Sequence, residues 1–81
     1  MMKVIGWRFF DYTSKKTGKT SPACNLYVTY PGNPERGFTG DQCEAIFLYS
    51  DSLGSYSPQI GDEIKVYYNR FGSVTSIDYA D

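Results

Sequence analysis

The chain has 81 residues, of which 41% are apolar and 17% aromatic, and a formal net charge of −1. That is enough for one small domain and too aromatic for a disordered chain, and no apolar run approaches the ~20 residues of a membrane-spanning helix. The residues after Lys3 alternate apolar with polar and form no signal-peptide core, so a soluble, cytoplasmic domain is expected.

No stretch carries the 3.6-residue periodicity of an amphipathic helix, while Gly, Pro, Ser, Thr, Asn and Asp clusters divide the chain into β-branched and aromatic segments. Five strands are predicted. The first runs from about Lys3 to Thr13, with Gly6 as the place for a bulge, Trp7 and Phe9 on one side, and Arg8, Phe10 and Tyr12 on the other. A turn at Ser14–Thr20, with Gly18 for the positive φ angle, leads to a second strand over Pro22–Tyr30. There Leu26 and Val28 share a face opposite Tyr27. Residues 31–42 read as a loop. The third strand spans Cys43–Ser50, and periodicity leaves open whether Ala45, Phe47 and Tyr49 or Ile46 and Leu48 face the core. After a loop over Asp51–Asp62 come a fourth strand, Glu63–Arg70, a turn at Asn69–Gly72, and a fifth strand, Ser73–Tyr79. Val74 and Ile77 are three apart, so a bulge near Thr75-Ser76 is needed to bury both. Five strands around one core predict an all-β, five-stranded antiparallel barrel of the oligonucleotide/oligosaccharide-binding (OB) type, with an SH3-like barrel as the alternative.

The absence of histidine removes the commonest general base, the Ser-His and Cys-His nucleophile pairs and histidine-containing zinc sites. Cys24 and Cys43, far apart and outside any CxxC pair, do not make a four-thiolate metal site; both are expected as reduced, buried thiols. No glycine pair is followed by the Lys-Ser/Thr of a phosphate loop, and the acidic residues are scattered. The expectation is a binding module with no catalytic residues, cofactor, metal or small-molecule substrate.

Charge is unevenly spread. Residues 1–34 carry Lys3, Arg8, Lys15, Lys16 and Lys19 against Asp11, a net of +4, whereas residues 35–81 carry Arg36, Lys65 and Arg70 against eight acids, a net of −5. An anionic partner should therefore meet the first hairpin, where Lys15, Lys16 and Lys19 can displace the condensed counterions of a nucleic-acid strand. Rings beside cations supply the stacking half of such a site. Tyr27, Tyr67 with Lys65, the ring-bearing first strand with Arg8, and Phe71 beside Arg70 at a turn apex are the candidates. The same surplus rings also suit a homodimer interface.

The succession of Lys16-Thr17-Gly18-Lys19, an apolar strand, Tyr56-Ser57-Pro58 and a terminal Phe71-Gly72-Ser73 hairpin resembles the small single-stranded-DNA-binding proteins of filamentous bacteriophages, the gene-five type, and related mobile-element proteins. The likeness covers residues 12–80. It implies a dimeric, non-enzymatic OB barrel that coats single strands cooperatively, with DNA contacts at Lys16, Lys19 and Phe71. The family's stacking Tyr after the Gly-Lys is replaced here by Thr20 and Ser21, and the middle loop is longer and richer in acids, so stacking passes to Tyr27, Tyr67 or Phe71. The expected partner is single-stranded DNA, with RNA as the variant. The competing class is a small phage- or plasmid-encoded protein-interaction module or inhibitor, whose acidic second half would mimic nucleic acid toward a basic partner.

Overall fold

The computed structural model describes residues 2–80, and these form a single antiparallel sheet of five strands. The strands are β1 (Met2–Thr13), β2 (Thr20–Pro31), β3 (Asp41–Tyr49), β4 (Glu63–Tyr68) and β5 (Val74–Tyr79), and two short 3₁₀ turns occupy Pro34–Arg36 and Ser50–Leu53. Their order across the sheet is β3-β2-β1-β4-β5. The sheet is barrel-like but does not close, because no ladder joins β3 to β5 among the described residues. All five predicted strands are present. The second and third are longer than the sequence suggests, since Tyr30 and Pro31 pair with Gln42 and Asp41 and so shorten the loop. Within that loop Gly32 is required by space: an added Cβ would lie 2.7 Å from Cβ of Phe38 and 2.8 Å from the Gly40 carbonyl oxygen.

Two bulges decide which side chains face inward. Between Val4 and Gly6 the β1–β2 register slips, leaving Ile5 as the extra residue, so Val4 and Trp7 both turn to the core although they are three apart. In β5, Tyr67 pairs with Ser76 and Tyr68 with Val74, which leaves Thr75 as the bulged residue; its hydroxyl donates to the Tyr67 carbonyl at 3.1 Å. Val74 and Ile77 therefore share the inner face, as their spacing demands. In β3 the register of Leu48 against Cys24 and Ile46 against Leu26 resolves the two-way choice: Ile46 and Leu48 are buried, and Phe47 and Tyr49 point outward.

The core consists of Val4, Cys24, Leu26, Val28, Ile46, Leu48, Leu53, Tyr56, Ile64 and Ile77, with Met2, Trp7, Val66 and Val74 packed at its margin. The loop between β3 and β4 closes the inner face. Its 3₁₀ turn delivers Leu53, and Tyr56 follows, with its hydroxyl donating to Oδ2 of Asp62 at 2.8 Å. Burial, reinforced by the Asp62 carboxylate, holds this phenol well above its ordinary ionisation range. The loop is stitched to β1 by two bonds at 2.8 Å, Val4 N–H to the Asp62 carbonyl and Gly61 N–H to the Val4 carbonyl.

Core residues on β1 stop at Trp7, and no residue from Arg8 to Thr13 is buried. Twelve residues of strand reach ~40 Å, which matches the long dimension of the molecule, 43 Å against 26 and 23 Å. Beyond the Phe10–Ala23 pair the β1–β2 hairpin is thus an arm running past the core.

Candidate nucleic-acid interface

The outer face of β1, β2 and β3 is built from a contrast in side-chain size. β2 presents Ser21, Ala23, Asn25 and Tyr27 there; across from them β1 presents Tyr12, Phe10, Arg8 and Gly6, and β3 presents Tyr49, Phe47 and Ala45. Strands two apart in a sheet are ~10 Å distant, yet the rings of β1 and β3 meet, because only small side chains stand between them. Phe47 lies 6.1 Å from Phe10, 5.1 Å from Tyr12 and 5.4 Å from Tyr49, centroid to centroid, and Tyr12 lies 6.2 Å from Tyr49. Phe10 and Phe47 are tilted by 52°, and the other three pairs, at 63–77°, take the edge-to-face arrangement that their quadrupoles favour. Beneath them Ala23 is fully buried although it lies on the outside of the sheet.

This ridge remains open to solvent. Tyr12 is 37%, Phe47 40% and Tyr49 43% exposed. The guanidinium carbon of Arg8 lies 4.9 Å from the Phe10 centroid and places a cation at the inner end of the ridge. Tyr27 continues the same face; its ring passes 3.9 Å from the position of a Cβ on Gly6, so it lies over that glycine with Ala45 on its other side.

The outer end of the ridge runs directly into the basic turn. Ser14 N–H donates to the Lys19 carbonyl at 2.9 Å, Gly18 N–H to the Ser14 carbonyl at 2.8 Å, and Thr13 and Thr20 share a hydroxyl bond of 2.8 Å. Gly18 adopts φ +69°, which its lack of a Cβ permits. Oγ of Ser14 and Oγ1 of Thr17 accept from the N–H groups of Lys16 and Lys19. The backbone of the turn is thereby satisfied internally, and Lys15, Lys16 and Lys19 all extend into solvent.

The β4–β5 turn forms a second arm. Oδ1 of Asn69 accepts from Phe71 N–H at 2.9 Å and Ser73 N–H at 3.0 Å, and Asn69 N–H donates to the Ser73 carbonyl at 2.9 Å. That clamp holds Phe71 at the apex, 78% exposed, with the Arg70 guanidinium 5.0 Å from its centroid. Lys65 and Tyr67 are exposed on the outer side of β4, opposite Asp78 and Ser76 of β5, and no ring pairing joins Tyr67 to the β1–β3 ridge among the described residues.

Of the residues expected from sequence, Arg8, Tyr27, Lys15, Lys16 and Lys19 lie along one continuous face and its arm, Arg70 and Phe71 form the second turn, and Lys65 and Tyr67 lie on the wing between that turn and β1. Phe47 and Tyr49 are absent from the sequence-based site, and Phe10 and Tyr12 enter it only as rings of the first strand beside Arg8. Their signal was the small-residue alternation Ser21-x-Ala23-x-Asn25 between two ring-bearing strands, which becomes readable only once the facing of β3 is fixed. The expected burial of both thiols is corrected in one case: Cys24 is buried on the core side, where burial raises its pKa, whereas Cys43 falls on the outer face opposite Thr29 and is exposed.

Among the described residues no group of three or more Cys, Asp or Glu side chains is placed to hold a metal ion, and no helix is long and apolar enough to cross a membrane. Comparison with protein-family models, with curated proteins and with solved structures yields no match.

Proposed function

We propose that this chain is a non-catalytic binding protein for single-stranded nucleic acid, DNA in the first instance, acting in the cytoplasm. The observation that carries the reading is the solvent-open ridge of Phe10, Tyr12, Phe47 and Tyr49, capped by Arg8 at one end and by the three-lysine turn at the other. A small protein that leaves adjoining rings in water has a use for them, and a row of rings with cations at both ends matches a chain of π-faced bases on a phosphate backbone. In five-stranded OB barrels the β2–β3 face with the β1–β2 and β4–β5 loops is the usual oligonucleotide surface, and the ridge, the lysine turn and the Phe71 turn occupy those three places here. Lys65 and Tyr67 extend the path from the Phe71 turn along β4.

Net charge is −1, so affinity has to arise from the local patch, and its salt dependence should be modest for a nucleic-acid binder. The protein is further proposed to act as a two-fold dimer of phage or mobile-element type, following the resemblance of its Lys-x-Gly-Lys and Phe-Gly-Ser turns; light scattering at micromolar concentration gives the mass. The deciding test of binding is titration with unlabelled oligo(dT), followed by Trp7 and tyrosine fluorescence at two salt concentrations. Quenching that saturates at low salt supports the reading, and an unchanged signal at low salt removes it.

A further inference from the structure

The sheet fails to close along one line, and that line contains a cavity. It lies between the free edge of β3, from Glu44 to Tyr49, and the end of the β4–β5 hairpin at Tyr68 and Gly72–Val74, with a volume of about 380 Å³. This falls at the lower end of the ~300–1,000 Å³ typical of small-ligand sites, a size for one base with its sugar rather than for a folded partner. Phe47 and Tyr49 belong both to the outer ridge and to this cavity, so the stacking surface leads into it without a break.

Resting on the proposed single-strand binding, we infer that the cavity takes one unstacked base of the bound strand and selects guanine. Three features support this. Among the described residues Glu44 is the one charged residue in its lining, and it is an acceptor for base N–H groups. Tyr68, half-exposed, supplies a ring wall; desolvation, then the nearby Glu44 and Tyr30, raises the pKa of its phenol. The edge of β3 has backbone groups that no neighbouring strand among the described residues uses, and these can meet the remaining polar atoms of a base. An anionic wall excludes phosphate, so a base rather than the backbone enters. Guanine is the one base with two adjacent donors on its Watson–Crick edge, N1–H and the N2 amino group, which match the two oxygens of a carboxylate. Thymine presents a single N–H between two carbonyl oxygens that a carboxylate repels, and cytosine and adenine present one amino group beside a ring acceptor.

The test uses the full chain and oligo(dT) of about 12 nucleotides, within the ~4–16 that one OB fold covers, against the same strand with one central thymine replaced by guanine, or by cytosine. The guanine strand should bind about five- to tenfold tighter than oligo(dT), the low end of what one bidentate base contact provides, with the cytosine strand close to oligo(dT). In Glu44→Ala, which removes an exposed edge side chain, oligo(dT) affinity should rise slightly as a negative charge is lost while the guanine strand loses its advantage and falls to the oligo(dT) value. Equal binding of all three strands by the wild type overturns the inference while leaving single-strand binding intact. A guanine preference that survives Glu44→Ala overturns it as well. Failure of every strand to bind at low salt is a failure of the underlying reading instead.

Discussion

Phe47 is the hub of the aromatic ridge, and replacing it separates a stacking role from a packing role. It touches Phe10, Tyr12 and Tyr49 and is 40% exposed. Truncation to Ala should cost about 2–3 kcal/mol of stability, roughly the buried share of the ~3–5 kcal/mol lost when a fully buried Phe is removed. That confounds binding with folding in so small a domain. Phe47→Leu is the cleaner perturbation, since it retains most of the apolar volume for under about 1.5 kcal/mol and removes the π-face. Loss of one stacked base should weaken oligo(dT) binding by about 1–3 kcal/mol, roughly 5- to 150-fold. Because stacking releases no counterions, the same factor should appear at low and moderate salt. Phe47→Trp should retain or improve affinity. The assay is fluorescence anisotropy of a labelled oligo(dT) at two salt concentrations, with urea unfolding of each variant to confirm the fold. Should the Leu variant be folded and bind within about twofold of wild type, the ridge is not a stacking platform.

The two arms should respond differently. Each of Lys15→Ala, Lys16→Ala and Lys19→Ala should weaken binding and lower the salt slope by about 0.7, the value per phosphate for single strands, while Phe71→Ala should cost about 1–3 kcal/mol with the slope unchanged. All four variants should unfold at the wild-type urea concentration, because these side chains are exposed on turns whose backbone bonds do not involve them. The thiols should label in two phases: Cys43 reacts at once with a thiol reagent, and Cys24, buried with its pKa raised, reacts only on unfolding. A single fast phase of two thiols would contradict the inward facing of β2.

Much of the fold was legible because β structure writes itself with period two. The bulge at Thr75 followed from Val74 and Ile77 being three apart, and the site of the β1 bulge from Gly6. The facing of β3 was not legible, because Cys43–Tyr49 is apolar on both faces and only pairing with Cys24 and Leu26 decides it. The ridge was hidden with it, since Phe47 and Tyr49 read as core candidates until Ile46 and Leu48 fill that place. The open seam had no signal in sequence either. A chain with five strands and few edge guards suggests closure, yet β1 meets β4 over only Met2 and Lys3, and no ladder joins β3 to β5 among the described residues. Lysine side chains on a glycine turn are readable from the sequence without tertiary knowledge, and all three are exposed.

The central claim is that a single strand lies across the outer face of β1–β3 between the two turns. Amide chemical-shift mapping of the isotopically labelled protein against oligo(dT) tests it most directly. The predicted result is shifts concentrated at Arg8, Phe10, Tyr12, Lys15–Lys19, Tyr27, Phe47, Tyr49 and Arg70–Gly72, with the core-side loop around Leu53 and Tyr56 unchanged. Shifts confined to that acidic loop, or none at a strand excess at low salt, would contradict the account.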